Sequence, residues 1–266
     1  PKCGLCLVCE HRLAGRVFGP SKDRWDATCL FHPIVVQDPL SSHWRMYYYG
    51  RDSTSWHNNV TPALMSTGRI GLASSVDGAI WSPSHGPLPK GAILDPRSNS
   101  TLSFDCVHVG CSDVHFYRGM WWMYYFGGGL DDSVKLPGGK SLTGMKLRVG
   151  LCKSLDGIHG FDEIRYKDPV LDVGEDNEWD STMVAWARVI PPSTKHPISH
   201  WLMTYSSMDM STSSSSPSFA IGLAISQDGV KWTKMGKILE RGETGCWDDG
   251  GVSRCHFLHW AIPNVL

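Results

Sequence analysis

Several residues of this sequence are of types that can bind or transform a small polar ligand. Carboxylates act as general acids or bases and orient other groups, an indole ring stacks on a flat ligand face, and a guanidinium group binds anionic or hydroxyl-rich ligands. The candidate catalytic carboxylates are Asp26, Asp113, Asp180, Asp248 and Asp249. The candidate ligand-binding residues are His32, His108, Trp186, Arg188, Arg254 and His256.

The elements that must position these residues are copies of one repeat. The segment Trp-Arg-Met-Tyr-Tyr-Tyr-Gly at 44–50 returns in related form at 121–127 and 201–205. Each copy is followed by an Ile/Val-Gly-Leu triplet centred on Gly71, Gly150 or Gly222. Self-similarity at a period of roughly 70 to 80 residues indicates a repeat architecture. The ligand-binding candidates, with Asp113 and Asp249, are residues that break this repeat.

Within each unit the sequence predicts short β-strands. The segments are rich in aromatic and β-branched residues and are separated by Gly, Asp, Ser and Pro, and no stretch keeps the apolar spacing of a helix. Asp-Gly pairs at 77–78, 156–157 and 228–229 indicate hairpin turns. The first unit is predicted to have strands at about 29–36, 44–50 and 69–74 and a last strand ending at Leu94. Four antiparallel strands, repeated radially, make a β-propeller blade.

The repeat also predicts the domain boundaries. We expect a leader at 1–15, blades at about 25–95, 104–172 and 179–240, and the start of a fourth blade at 247–266. Residues 16–20 resemble the last strand of a blade, which in a closed propeller completes the final blade and hides two sheet edges. The propeller is therefore predicted to cover 16–266 and to be incomplete in this chain.

Composition excludes some partners. A formal net charge of −1 and a pI near 7.0 offer no basic field for nucleic acid. No apolar run reaches the length of a membrane span. The chain has nine cysteines, an odd number, and six of them are scattered singly through the units. This pattern favours free buried thiols in a reducing intracellular compartment over a disulfide framework.

The remaining three cysteines are clustered in the leader. Cys3, Cys6 and Cys9, with His11 close behind, have a spacing that can ligate zinc or part of an iron–sulfur cluster. The alternative is a flexible leader with incidental cysteines. No second ligand pair follows at zinc-finger spacing, so we predict neither a metal site nor a cofactor.

An aromatic-Asp pair opens every unit. The aspartates of these pairs are Asp26, Asp105, Asp180 and Asp248. They can line a channel and do chemistry, but catalysis needs unique residues in unlike environments rather than a ring of equivalents. The structural alternative is that each Asp accepts backbone N–H groups at the blade entry. The two alternatives remain open for Asp26, Asp180 and Asp248.

The repeated motifs resemble those of a known superfamily. The motifs Trp-x-Met-Tyr-Tyr-x-Gly and Ile-Gly-Leu-Ala-x-Ser-x-Asp-Gly-x-x-Trp, with a closing apolar strand, resemble the five-bladed β-propellers of the arabinanase, levansucrase and invertase superfamily. The likeness covers about residues 16–266 and is greatest to uncharacterised glycosyl hydrolase-like members. It implies an all-β, five-bladed propeller with four-stranded antiparallel blades. It also implies activity on glycosidic bonds of an oligosaccharide or glycoside at one mouth of the central channel.

In that superfamily a catalytic Asp lies on the innermost strand, about three residues before a strand Val. The matching residues are His32, Cys111 and Trp186, each six residues after the Asp of its unit, and the fourth unit gives Arg254. None is a carboxylate. Asp113 lies two residues beyond Cys111 and so on the same face of its strand.

Three functions are compatible with these residues. The first is a glycosidase in which Asp26, Asp113 and one of Asp180, Asp248 or Asp249 act as base, orienting group and acid. The second is a propeller that binds a glycan or metabolite without turnover, and the third is an interaction scaffold. A carboxylate pair roughly 5 to 10 Å apart in one channel mouth favours the first, because glycoside cleavage uses two carboxyl groups. We prefer the first function, and expect a monomer if the ring is complete.

Overall fold

The computed structural model describes residues 16–52, 67–98, 102–130, 133–135, 141–193, 199–209 and 218–256. Within these ranges the protein is all-β, with one 3-10 turn at Pro89–Gly91 and no α-helix. None of the described segments is a helix able to span a membrane. The predicted leader at 1–15 with its cysteine cluster, and the predicted residues 257–266 of the fourth unit, lie outside the described residues.

The strands form three four-stranded antiparallel sheets and one hairpin. The first sheet has the order β1 (Cys29–Gln37), β2 (Trp44–Arg51), β3 (Arg69–Ser75) and β4 (Ser82–Pro83). The second contains β5 (His108–Tyr117), β6 (Met120–Gly128), β9 (Arg148–Ser154) and β10 (Ile164–Arg165). The third contains β11 (Ala185–Ile190), β12 (Trp201–Asp209), β13 (Ser218–Ser226) and β14 (Trp232–Leu239). The hairpin is β7 (Ser133–Lys135) and β8 (Ser141–Thr143).

This architecture confirms the predicted four-stranded units. The first three predicted strands of the first unit match β1, β2 and β3 to within one residue at each end. The predicted last strand is confirmed only in the third sheet, where β14 ends at Leu239. In the first two sheets the fourth strand comes earlier, as β4 and β10, and Leu94 and Leu171 form isolated bridges to Ile70 and Val149. Residues 16–20, predicted as a closing strand, are in no strand, and that assignment stays a prediction.

The Asp-Gly turns share one hydrogen-bond pattern. In the first, the N–H of Gly78 donates to Ser75 Oγ at 2.9 Å, and the N–H groups of Ala79 and Ile80 donate to Asp77 Oδ1 at 2.8 Å. Gly78 has a φ of 74°, in the left-handed region that glycine adopts without a steric penalty. The same bonds form around Asp156 and Asp228, so the Ser-x-Asp-Gly motif is explained by the turn itself.

The side chains of the aromatic-Asp pair contact the second tyrosine of the Tyr-Tyr motif in the same way in each sheet. Trp25 stacks on Tyr48 with ring centroids 5.1 Å apart, and the Tyr48 hydroxyl donates to Asp26 Oδ2 at 2.8 Å. The second and third sheets repeat this with Phe104, Tyr125 and Asp105 and with Trp179, Tyr205 and Asp180. The aspartates therefore accept a tyrosine hydroxyl, which corrects the structural alternative of backbone N–H donors.

Neighbouring sheets are joined at equivalent positions. Each inner strand begins with a backbone N–H that donates to the preceding sheet: Val109 to Gly68 at 3.2 Å and Val184 to Leu147 at 2.8 Å. Val252 donates to Phe219 at 2.9 Å in the same way. Each of these valines lies four residues after the Asp of its unit. The start of the fourth unit therefore docks on the third sheet as the earlier units dock on theirs.

Two further bonds cross between sheets. The first tyrosine of the Tyr-Tyr motif donates its hydroxyl to the next sheet's Asp-Gly turn, from Tyr47 to Gly157 O at 3.0 Å and from Tyr124 to Gly229 O at 2.8 Å. The third unit has Thr204 at this position, and its Oγ1 is buried without a hydrogen-bond partner in the described part of the chain. The two tyrosines of each pair thus have different roles, one within and one between sheets.

The cysteines within the described ranges are thiols and form no disulfide there. Cys106, Cys111 and Cys152 are buried, Cys29 and Cys255 are partly buried, and Cys246 is exposed. Burial raises the pKa of the Cys111 thiol well above its ordinary value, so this thiol is protonated and packs as a small apolar group. The compartment stays a prediction.

Candidate functional site

The inner strands β1, β5 and β11 and the start of the fourth unit enclose a cavity of about 460 Å³. Residues of different units can be compared by their distance from the Asp that opens each unit, and residues at the same distance are called a layer. The layer eight residues after the Asp of each unit contains Ile34, Asp113, Arg188 and His256, and all four line the cavity. The structure therefore brings together three of the predicted site residues, one from each of three units.

Three of the residues that lie two positions earlier in their units have a strained backbone conformation. His32, Trp186 and Arg254 have φ values of 51°, 49° and 59°, a left-handed conformation that residues with a Cβ adopt at a free-energy cost of about 1 to 3 kcal/mol. In β1 and β11 the strand register also shifts there, which marks a β-bulge. Bulges re-aim side chains next to functional sites. The position that the resemblance matched to a catalytic Asp thus has left-handed backbone in three units of this chain.

Both carboxylate oxygens of Asp113 contact protein groups. Its Oδ2 accepts the backbone N–H of Val189 at 2.7 Å and lies 3.2 Å from Nε2 of His115. Its Oδ1 accepts the N–H of Val114 at 3.0 Å and lies 3.6 Å from Nη1 of Arg188. Burial opposes ionisation, but His115, Arg188 and the Val189 N–H outweigh it and lower the pKa of Asp113. The carboxylate is therefore ionised near neutral pH.

His32 is neutral near pH 7. Burial, followed by the charges of Arg188 and Arg254, lowers the pKa of its imidazole from 6.5 to about 4, although Asp113 acts in the opposite direction. A hydrogen bond to the backbone of Ser112 raises the pKa, so the imidazole donates that bond. Nε2 is buried and has no hydrogen-bond partner among the described residues. The donor is therefore Nδ1, and Nε2 of the neutral ring is an acceptor.

This shift predicts a pH dependence of stability. The unfolded chain protonates His32 near pH 6.5 and the folded protein only near pH 4, so stability falls as the pH drops through this window, by at most about 3 kcal/mol. Thermal melts of wild type and His32→Gln at pH 7.5 and 5.0 test it. The variant should lose less stability on acidification. An equal loss in both proteins would assign the pH dependence to other groups.

Trp186 and Arg254 pack together, and neither is among the residues that line the cavity. Arg254 Cζ lies 4.8 Å from the Trp186 ring centroid, and the edges of Phe126 and Phe219 flank the indole. Trp186 is only 9% exposed. The face predicted to stack on a sugar is thus covered by a guanidinium group, and Arg254 is the exposed member of the pair.

His108 lies away from the cavity. It is 3% exposed, its ring stacks on Phe126 with centroids 5.5 Å apart, and the Tyr49 ring meets it edge-on at 5.7 Å. A Cβ added to Gly68 would lie 2.3 Å from its Cε1. His108 is packed within an aromatic cluster between the first two sheets, and its predicted contact with ligand stays a prediction.

The other candidate carboxylates do not line the cavity. Asp26 and Asp180 are buried in their own sheets, where Asp26 pairs with Arg24 at 3.5 Å and Asp180 with Lys234 at 2.8 Å. Asp249 accepts the N–H of Gly245 at 2.8 Å in the turn before the fourth unit, and Asp248 lies in the same turn. Among the described residues, Asp113 is the only carboxylate that lines the cavity.

Sequence reasoning missed His115. It lines the cavity, and it approaches Asp113 from the same face of β5, two residues further along the strand. The signal was available, because Cys111, Asp113 and His115 alternate along one predicted strand. In the described part of the chain, no group of three or more His, Cys, Asp or Glu side chains is arranged to hold a metal ion.

No protein-family model and no curated protein matches this sequence. Solved structures do. BT0996 in its complex with RGII superposes with a TM-score of 0.58 at 17% identity, over 82% of this chain and 58% of its own. Zg3597, a family 117 glycoside hydrolase from Zobellia galactanivorans, gives a TM-score of 0.55 at 16% identity, over 82% and 58%. The chain shares its fold with these structures.

A third structure with this fold is a β-1,2-mannobiose phosphorylase from Listeria innocua in complex with β-1,2-mannobiose. It superposes with a TM-score of 0.52 at 10% identity, over 83% of this chain and 62% of its own. This chain thus spans about 58 to 62% of the length of these three structures. At such identities the likeness concerns the fold, and the three four-stranded sheets described above are compatible with propeller blades.

Proposed function

We propose that this propeller is a carbohydrate-active, glycoside hydrolase-like protein that binds an oligosaccharide in the cavity between its inner strands. The observation that carries the proposal is a set of three strained residues: His32, Trp186 and Arg254 have left-handed backbone at equivalent positions. The residues two positions further along, Ile34, Arg188 and His256, line one cavity. Strained residues cluster at ligand sites. The three solved structures with this fold are two carbohydrate-processing enzymes and a complex with RGII, which supports a carbohydrate ligand.

The number of blades is part of this proposal. The sequence motifs resemble five-bladed members of the superfamily, and the fourth unit docks on the third sheet through the same backbone bond that joins the earlier sheets. We therefore propose a five-bladed ring. In a ring of this kind the inner strands of all blades surround the ligand.

Asp113 has the properties of the ionised member of a catalytic pair. It is charged near neutral pH and is oriented by His115, Arg188 and Val189. In glycoside cleavage an ionised carboxylate serves as base, nucleophile or electrostatic partner, and a second, protonated carboxyl group donates to the leaving oxygen. We propose Asp113 for the ionised role. The proton donor is then a group other than the carboxylates that line the described cavity.

The replacement Asp113→Asn tests this role. We expect turnover of the best substrate in a panel of aryl-glycosides and oligosaccharides to fall by roughly a hundredfold or more, because the charge is lost while the amide oxygen can still accept the Val189 N–H. The matched control is Asp172→Asn, whose carboxylate is 58% exposed and pairs with Arg148. Unchanged turnover in Asp113→Asn would remove Asp113 from the chemistry.

A propeller that binds glycan without turnover is the second candidate. Both carboxylate oxygens of Asp113 already contact protein groups. This favours the second candidate, because little access is left for a reacting proton. Thermal stabilisation by one oligosaccharide, without turnover of any substrate, would select this candidate. Turnover that survives purification and depends on Asp113 would select the hydrolase.

A further inference from the structure

His115 and Asp113 are neighbours on the same face of β5. The register of β5 against β6 shifts between Cys111 and Asp113, which marks a β-bulge, and the pairing is regular from Asp113 to the end of the strand. Residues two apart on a regular strand share a face, and both residues line the cavity. His115 Nε2 lies 3.2 Å from Asp113 Oδ2. The imidazole and the carboxylate thus form a close pair at the cavity wall.

The pair occurs in one unit of the chain. The residues of the other units in the same two layers are Ile34 with Val36, Arg188 with Ile190, and His256 with Leu258. No other unit therefore places a histidine two residues after a carboxylate at this point of its inner strand. The first and third sheets form without such a pair, so the packing of a blade does not account for it.

The two members of the pair differ in what they offer a ligand. The Asp113 oxygens accept the backbone N–H groups of Val114 at 3.0 Å and Val189 at 2.7 Å. The side chain of Asp113 is 8% exposed, whereas that of His115 is 23% exposed. His115 Nε2 is buried, so the exposed part of this side chain lies elsewhere on it. The imidazole is thus the more accessible member of the pair.

The position of the carboxylate decides which ring nitrogen can exchange a proton. Asp113 is ionised, and at 3.2 Å it attracts an N–H on Nε2 and repels a lone pair there. The proton that a neutral His115 ring keeps is therefore on Nε2. Nδ1 makes no hydrogen bond to any residue that the structure describes. Nδ1 is thus the nitrogen left to give a proton to a ligand or to take one from it.

We propose that His115 is the proton donor of the glycoside cleavage, and that Asp113 is its ionised positioning and electrostatic partner. The protonated ring transfers its Nδ1 proton to the glycosidic oxygen while the bond from that oxygen to the anomeric carbon breaks, and the bonding electron pair stays on the oxygen. Water then adds to the anomeric carbon, and the proton that it releases returns to Nδ1. This inference rests on the proposed function, since it names the second group that the cleavage needs.

The dependence of turnover on the leaving group tests the role of His115. One substrate is a dinitrophenyl glycoside, whose phenolate leaves without a proton, and the other is an oligosaccharide of the same sugar, whose alkoxide needs one. The variant is His115→Gln, with His115→Asn in reserve if circular dichroism shows that the first is not folded. The control is His43→Gln, because His43 is exposed and does not line the cavity.

We expect His115→Gln to lower kcat/KM for the oligosaccharide by roughly a hundredfold or more, and for the dinitrophenyl glycoside by less than about tenfold. Asp113→Asn should slow both substrates, because the charge that it removes acts on bond breaking in either. His43→Gln should leave both unchanged. Equal losses for the two substrates in His115→Gln, or no loss, would overturn the role of His115 and leave the proposed function standing. Turnover of neither substrate by the wild type would overturn the hydrolase itself and the role of His115 with it.

Discussion

Replacing Asp105 with alanine is expected to destabilise the protein by about 3 kcal/mol, because it removes a fully buried carboxylate that pairs with two cations. Among the described residues, the buried Arg165 then keeps only the half-exposed carboxylate of Asp162, at 2.9 Å, as an ion-pair partner. Arg165 Nη2 lies 2.7 Å from Asp105 Oδ2, and its side chain is only 2% exposed. Arg97 Nε lies 3.2 Å from Oδ1, and the Tyr125 hydroxyl donates to Oδ2 at 2.7 Å. The Ser103 hydroxyl donates to Oδ1, so one substitution removes the acceptor of two cations and of two hydroxyl groups.

Urea titration of the free energy of unfolding measures the effect. The control is Asp172→Ala, which removes an equally short ion pair with Arg148 at 2.6 Å from a carboxylate that is 58% exposed. That loss should stay within about 1 kcal/mol. If Asp105→Ala does not accumulate, Asp105→Asn, which keeps an acceptor oxygen, should give an intermediate loss. Equal stabilities of the two alanine variants would show that burial of the pair is unimportant.

Replacing Gly150 with alanine is the second change for which we expect a large effect. The added Cβ would lie 2.2 Å from Cζ of Tyr125. The ring cannot withdraw, because it stacks on Phe104 and its hydroxyl is bound by Asp105. Overpacking against a fixed group should destabilise the protein by about 3 kcal/mol.

Gly250→Ala is the matched control, since a Cβ there meets nothing within 4 Å. Its unfolding midpoint in urea should remain close to that of wild type. Gly222→Ala should behave like Gly150→Ala, because its Cβ would lie 2.4 Å from Cζ of Tyr205. A mild effect at both glycines would mean that the tyrosine rings can move, contrary to the packing described.

The blades were predictable from the sequence because their determinants are local and repeated. The strands that match β1, β2 and β3 and the Asp-Gly turns follow from alternation and turn chemistry that three copies reinforce. The fourth strands β4 and β10 have only two residues each, too few to leave such a pattern, and they were predicted in the wrong place. The hydrogen-bond partner of the repeated aspartates was not predictable. A tyrosine hydroxyl on the neighbouring strand competes with backbone donors, and only the strand register decides between them.

The candidate site was predictable only in part. Asp113, Arg188 and His256 were predicted as site residues because they break the repeat, and all three line the cavity. The repeat could not show that Arg254 covers the indole of Trp186, or that His108 is packed between aromatic rings. Those outcomes depend on left-handed backbone and on side chains from other blades, which leave no periodic signal.

The bonds between sheets have a consequence for how the chain folds. Val109, Val184 and Val252 each donate to the sheet that precedes them, and Tyr47 and Tyr124 each donate to the sheet that follows. Every such link joins neighbours in the sequence, so stability is expected to accumulate unit by unit, as in a one-dimensional array. During synthesis on the ribosome, the first two blades can therefore dock while the third is still being translated. The residues around the cavity come together only after that, once the third inner strand and His256 have emerged.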